Sequence, residues 1–373
     1  MTSPGRRVTA RARPDLPDFP WDSIAPYQAT ARAHPDGVVD LSVGTPVDPV
    51  PERVRAALSA KADSPGYPAT HGTAELRAEV VAALERRHGV TGVDAEAVLP
   101  TIGSKEMVAW LPRLLGFGPG DLVVIPDLAY PTYDVGARLA GATVARSDGL
   151  VSVGPARPGM MWVNSPSNPT GRILGVDHLR KVLDWARERG TIVVSDECYL
   201  PLGWQDEPVS VLHPEVHGGD LEGVLALHSL SKAANMAGYR AGFVAGDPAL
   251  VSELLAVRKH AGMIVPRPVQ EAMRAALADD EALALQRQRY ASRRATLRTA
   301  LEAAGFRIDH SEAGLYLWVS RDEDAWQTLE WFAERGILVA PGSFYGPAGQ
   351  RHVRVALTAT DERVTAAAGR LAG

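Results

Sequence analysis

Apolar and polar positions along this 373-residue chain repeat with two different periods. Over residues 73–87, Leu76, Val80 and Leu84 recur on one helical face, and Gly89 stands just past the end as a stop. Residues 176–189 repeat the helical pattern and Gly190 ends it. Between such stretches lie short continuous apolar runs at 121–125, 161–164, 191–195, 223–228 and 241–245. Runs of that length without alternation fit strands buried on both faces. Strands spaced by helices predict βαβ units, and so an α/β fold around a mainly parallel sheet.

Beyond residue 280 the pattern changes. Residues 281–304 read as one long helix, with Leu283, Tyr290 and Leu297 at heptad spacing. A strand at 315–319, a helix at 325–335, a strand at 337–339 and an alternating strand at 352–357 follow, which predicts a smaller α+β domain. The first forty residues hold Pro14, Pro17, Pro20, Pro26 and Pro35 and read as an extended arm. The expected organisation is an N-terminal arm and part of the small domain over 1–45, a large domain over 46–280, and a C-terminal small domain over 281–373.

Composition narrows the function classes. A formal charge of −5 argues against nucleic-acid and anionic-membrane partners. The single cysteine, Cys198, excludes an internal disulfide and a multi-thiolate metal site, and no metal is expected. Arg6, Arg7, Arg11 and Arg13 are followed by no apolar run, so the N-terminus does not read as a secretory signal. No run approaches the roughly 18 apolar residues of a membrane helix, and the expected location is the cytoplasm. Of the 39 basic residues only five are lysine: Lys61, Lys105, Lys181, Lys232 and Lys259. Codons rich in G and C account for the arginine excess, but any amine nucleophile must come from these five.

Ligands of open α/β sheets collect at the carboxyl ends of strands, and three polar clusters fall there. They are Asn164-Ser-Pro-Ser-Asn168-Pro-Thr-Gly171, Ser195-Asp196-Glu-Cys-Tyr199, and Ser229-Leu-Ser231-Lys232 with Arg240 eight residues on. Each alone reads as ordinary turn chemistry; three in successive units of one sheet do not. Lys232 follows a strand and a polar turn, where desolvation lowers an amine pKa as a Schiff-base lysine requires. Asp196 ends an apolar strand and needs a cationic partner, for which a protonated pyridine nitrogen serves. Tyr199 and Asn168 suit a phenolate-type oxygen on the same ring. Gly103-Ser104-Lys105-Glu106 opens a helix whose first N–H groups suit a phosphate, and Arg240 adds a charged fork.

These motifs together resemble the class I/II aminotransferases of the pyridoxal-phosphate fold-type I superfamily, over nearly the whole chain from Leu41 to Arg354. The resemblance implies a large domain with a seven-stranded sheet plus a small α+β domain, and pyridoxal 5′-phosphate as cofactor. Lys232 would bind the cofactor covalently and later move a proton at the substrate. Asp196 would pair with the ring nitrogen, and Asn168 and Tyr199 with the ring oxygen. Gly103, Ser104, Lys105, Ser229, Ser231 and Arg240 would form the phosphate site, Ser104 and Lys105 chiefly through backbone. Tyr130 resembles the aromatic that stacks on the ring, with Tyr133 left open as the alternative. Tyr67 resembles the tyrosine that reaches a neighbouring subunit's phosphate, implying a homodimer with shared sites. Arg354 resembles the clamp on the substrate α-carboxylate, with Gly44 and Asn168 beside it.

A closer resemblance runs through Phe19-Pro-Trp-Asp22, Asp40-Leu-Ser-Val-Gly-Thr-Pro-Val-Asp-Pro49, Gly66-Tyr-Pro-Ala-Thr70 and Val353-Arg-Val-Ala-Leu-Thr-Ala-Thr-Asp361. These stretches resemble the actinobacterial-type N-succinyldiaminopimelate aminotransferases. That subgroup implies glutamate and 2-oxoglutarate as one substrate pair and succinylated diaminopimelate as the other, on the route to lysine. The extra carboxylates of such a substrate call for a second cationic patch, for which Lys105 is the candidate. Alternatives are an aminotransferase of aromatic, branched or aspartate-like specificity, and a fold-type I C–S β-lyase, which releases pyruvate without consuming 2-oxoglutarate.

Overall fold

The structure is a computed structural model and describes residues 15–372. The stretch Met1–Pro14, read above as lacking a secretory signal, lies outside the described residues. In chain order the strands are β1 (Val39–Asp40), β2 (Val98–Ile102), β3 (Leu122–Ile125), β4 (Thr143–Arg146), β5 (Met160–Asn164), β6 (Ile192–Asp196), β7 (Val224–Ser229) and β8 (Ala241–Gly246). They continue with β9 (Arg307–Asp309), β10 (Tyr316–Ser320), β11 (Ile337–Leu338), β12 (Ala340–Pro341) and β13 (Val353–Ala356).

Seven strands form one sheet in the order β2-β8-β7-β6-β5-β3-β4. Strands β7 to β4 in that order run parallel, and β8 runs antiparallel to both of its neighbours. The apolar runs predicted their strands because both faces are covered. On β5, Met161 and Val163 join one core while Met160 and Trp162 join the core of the opposite face. The two strands outside the predicted runs are the sheet's edges. Pro100 interrupts β2, which an edge tolerates because only one side carries a ladder. Strand β4 keeps Thr143 and Arg146 exposed, so it offers no continuous apolar signal.

A second core belongs to an antiparallel sheet of order β12-β13-β10-β9. The stretch read as an extended arm is instead helical over Pro20–Ile24 and Ala25–Arg32, because Pro20 and Pro26 stand in first turns, where a missing N–H costs no hydrogen bond. After it, strand β1 pairs with β11 and Ala356 N–H donates to Leu41 C=O at 2.8 Å, which stitches this segment to the second sheet. The long helix Asp280–Ala303 links the two parts; Asp279 caps it by accepting from Ala282 N–H at 3.0 Å. Tyr290 and Leu297 of the predicted heptad are fully buried, while Leu283, in the first turn, is half-buried. Among the described residues no helix is long and apolar enough to cross a membrane.

Candidate active site

The floor of the site forms where β5, β6 and β7 end side by side. Register places Asn164 opposite Asp196. Asn164 Nδ2 donates to Asp196 C=O at 2.8 Å, and its Oδ1 accepts from Asn168 N–H at 2.7 Å. One strand-end amide therefore ties the 165–172 loop to the next strand. The Asp196 carboxylate is buried and accepts from Tyr133 Oη at 2.8 Å and Cys198 N–H at 3.1 Å. Burial raises its pKa above the ordinary carboxylate value, against those two hydrogen bonds. No cation stands beside it among the described residues. Beneath the floor, Glu197 accepts from Val211 N–H at 2.7 Å and lies 3.5 Å from His228 Nε2. Burial pushes Glu197 up to about 7 and His228 down to about 3.

Tyr130 and Tyr133 separate clearly. Tyr133 is fully buried, stacks on Trp162 at 4.7 Å and donates its hydroxyl to Asp196. Tyr130 is half-buried and meets Tyr133 edge-on at 5.8 Å, so it is the aromatic with surface to offer a ligand.

Opposite the floor, the segment Ser42–Gly44 accepts from two cations. Lys232 Nζ donates to Gly44 C=O at 2.6 Å, and Arg354 Nη2 donates to Ser42 C=O at 2.6 Å. Lys232 is half-buried as a residue, and desolvation by the surrounding protein pulls its amine pKa below the usual lysine value. Tyr290 of the long helix donates to Lys232 C=O at 3.2 Å and pins the turn. Arg354 is almost wholly buried; its Nη1 donates to Asn168 Oδ1 at 2.9 Å and its guanidinium lies 3.8 Å over the Tyr316 ring. Its Nε has no partner among the described residues, which leaves a donor for an incoming anion.

A cradle for a second anion sits where helix Ser104–Leu114 begins. Gly103 has φ +72°, a conformation that favours glycine, and a Cβ there would come within 2.5 Å of Arg240 Nη2 and push the guanidinium from its place. Arg240 donates once, to Ala237 C=O at 2.9 Å, and pairs with no acid among the described residues. Ser229 Oγ accepts from Ser231 N–H at 3.2 Å at the end of the neighbouring strand.

The structure thus gathers Gly44, Asn168, Asp196, Tyr199, Lys232 and Arg354 into one crevice, with Tyr130 at its wall and Gly103, Ser104, Ser229, Ser231 and Arg240 at the cradle. Two predicted residues stand apart. Tyr67 is wholly exposed, and the Lys105 side chain is exposed with Nζ 5.8 Å over the Phe19 ring. Sequence reasoning missed Ser42, Cys198 and Tyr316. Cys198 had a signal, since it sits between Asp196 and Tyr199; burial, then the Asp196 carboxylate, push its thiol pKa up. Tyr316 had none.

A lysine amine, a buried carboxylate without a cation and an arginine without an acid, gathered at one end of a mainly parallel sheet, suit a pyridoxal-phosphate enzyme of the α/β class. Residues 36–371 match the family model described as aminotransferase class I and II, and the chain belongs to that family. The family depends on pyridoxal phosphate. The residues present fit that cofactor: Asp196 lacks only a protonated ring nitrogen, and a Cβ at Gly103 would fill the space the Arg240 guanidinium takes beside the anion cradle. The chain is 66% identical over 356 residues to "Probable aminotransferase Rv1178" of Mycobacterium tuberculosis, covering 95% of this chain and 85% of that protein. It is 57% identical to the 4-dedimethylamino-4-oxo-anhydrotetracycline transaminase OxyQ of Streptomyces rimosus, over 96% of this chain and 99% of the relative. Among solved structures, the probable N-succinyldiaminopimelate aminotransferase of Thermus thermophilus superposes with a TM-score of 0.85 at 29% identity, covering 95% and 99% of the two chains.

Proposed function

We propose that this chain is a cytoplasmic N-succinyl-LL-2,6-diaminopimelate:2-oxoglutarate aminotransferase. The observation that carries the transaminase reading is the Ser42–Gly44 segment, which accepts from the Lys232 amine and the Arg354 guanidinium at once. A substrate carboxylate held by Arg354 brings its α-carbon toward Lys232 Nζ. The succinylated substrate is supported by the sequence stretches at 40–49 and 353–361 and by the Thermus thermophilus neighbour.

Pyridoxal phosphate, when bound, supplies an electron sink for the charge left as the substrate α-carbon loses its proton. The rest is done by the chain. Lys232, its pKa lowered by burial, serves first as the covalent anchor and then as the base that moves that proton. Asp196, its pKa raised by burial, would be stabilised as a carboxylate opposite a positive ring nitrogen and would hold that nitrogen protonated. Tyr199 Oη and Asn168 Nδ2 would donate to the ring oxygen, Asn168 Oδ1 being engaged by Arg354. Tyr130 would cover the ring face, and Ser104, the Lys105 backbone, Ser229, Ser231 and Arg240 would hold the phosphate. The exposed Tyr67 reaches the phosphate of a second copy in a homodimer, with 46–280 as the cofactor-binding unit of each.

The test is a donor–acceptor panel on purified enzyme, read by the absorbance change between the aldehyde and amine forms of the cofactor. Glutamate and succinylated diaminopimelate are expected to convert it; failure of glutamate while other donors succeed overturns the substrate assignment. The 57% identity to a transaminase of a tetracycline intermediate favours a second reading, a bulky cyclic ketone as acceptor, and such a ketone belongs in the same panel.

A further inference from the structure

Tyr316, on β10, meets three groups of the site although no sequence motif points to it. Its hydroxyl lies 3.1 Å from Tyr199 Oη, with the rings 5.7 Å apart at 73°. Its ring carries the Arg354 guanidinium at 3.8 Å. A Cβ on Gly44 would overlap its hydroxyl, so the glycine that faces Lys232 is also what admits Tyr316. Both tyrosines are buried.

Each phenol has one proton to give. With the cofactor bound, Tyr199 would direct its hydroxyl hydrogen bond to a negatively charged ring oxygen, because a charged acceptor forms the stronger bond. Tyr199 Oη is then free to accept, and among the described residues the hydroxyl hydrogen-bonded to it is that of Tyr316, at 3.1 Å. We propose that the Tyr316 hydroxyl is a positioning residue of the transamination: it donates to Tyr199 Oη and so strengthens Tyr199 as donor to the cofactor ring oxygen. Hydrogen bonds in such a chain polarise one another. The inference rests on the reading of Tyr199 given above. It also separates two jobs in one side chain: the ring supports Arg354, and the hydroxyl serves Tyr199.

Tyr316→Phe removes the hydroxyl and keeps the ring. The ring oxygen, less relieved of its charge by Tyr199, then holds the proton shared with the Lys232 nitrogen more tightly. In a pH titration of the visible cofactor band of the holoenzyme, the midpoint rises by about half a unit to one unit. The kcat falls by about three- to tenfold, while KM for the amino donor stays within twofold because the support under Arg354 remains. Tyr199→Phe shifts the midpoint the same way, and adding Tyr316→Phe to it produces no further shift. A Tyr316→Phe midpoint within about 0.2 unit of wild type overturns the proposal, as does a full additional shift in the double variant. The wild-type reaction with glutamate tests the transaminase reading separately, so loss of one reading is distinguishable from loss of the other.

Discussion

The two walls of the crevice are held by different means. The floor is made of neighbouring strand ends, and its contacts are short in space because the β5–β6 ladder already sets Asn164 beside Asp196. The opposite wall is only partly laddered: Tyr316 and Arg354 stand on the paired strands β10 and β13, and Ala356 N–H holds Leu41 C=O just before Ser42. Across from them, side chains make the joins: Arg354 spans to Asn168 and Ser42, and Lys232 to Gly44. The floor is thus centred on a carboxylate set by one ladder, and the opposite wall on two cations joined across separate segments.

Four substitutions test this division. At the junction of the walls, Lys232→Ala loses the cofactor's covalent absorbance band and lowers turnover by about 10⁴-fold; a retained band would mean that another lysine substitutes and would overturn the role given to Lys232. On the floor, Asp196→Asn lowers kcat by about 10²- to 10³-fold, the range seen when one preorganised charge is removed. Its cofactor-free melting temperature moves by less than about 4 °C, because the lost carboxylate is buried without a cation. A large fall in stability with intact kcat would reverse the roles assigned to the floor.

Below the floor, Glu197→Gln reads out in the pH dependence of stability. Burial raises the native Glu197 pKa from its ordinary 4.5 to about 7, so between those values the folded state binds a proton that the unfolded state lacks. The stabilisation is complete below about pH 4.5 and is lost as pH rises through about 7, amounting to about 3 kcal/mol over the window. His228, pushed down to about 3, gives the opposite slope below about pH 6.5 in both proteins, so the readout is the difference: from pH 5 to pH 8, chemical denaturation should show the stability of the wild type falling relative to that of Glu197→Gln. The smallest effect belongs to the mouth. Lys105 is exposed and meets only the Phe19 ring, so Lys105→Ala raises KM for a succinylated substrate by about two- to fivefold with kcat unchanged. An unaltered KM removes Lys105 from substrate recognition.

Local patterns carried much of the architecture. Central strands read as apolar runs because both of their faces are buried, and Gly89 and Gly190 stopped their helices, with φ of 64° and 65°, where left-handed backbone is needed. The edges β2 and β4 escaped because an edge strand need not be continuously apolar. The floor was equally legible, since strand-end residues advertise themselves as polar clusters after apolar runs. The division of labour between Tyr130 and Tyr133 was not, because two tyrosines three residues apart carry the same chemistry until packing against Trp162 buries one of them.

By itself the chain's sequence determined the sheet, the long helix and the set of groups at the strand ends, because these depend on periodicity and on neighbours along the backbone. Only the tertiary structure decided that Ser42 and Gly44 accept from Arg354 and Lys232, that Tyr133 holds Asp196, and that Tyr316 stands behind Tyr199. Those contacts join residues from about 60 to over 300 positions apart. No local rule encodes them; they exist because two hydrophobic cores, once packed, leave one crevice between their polar edges.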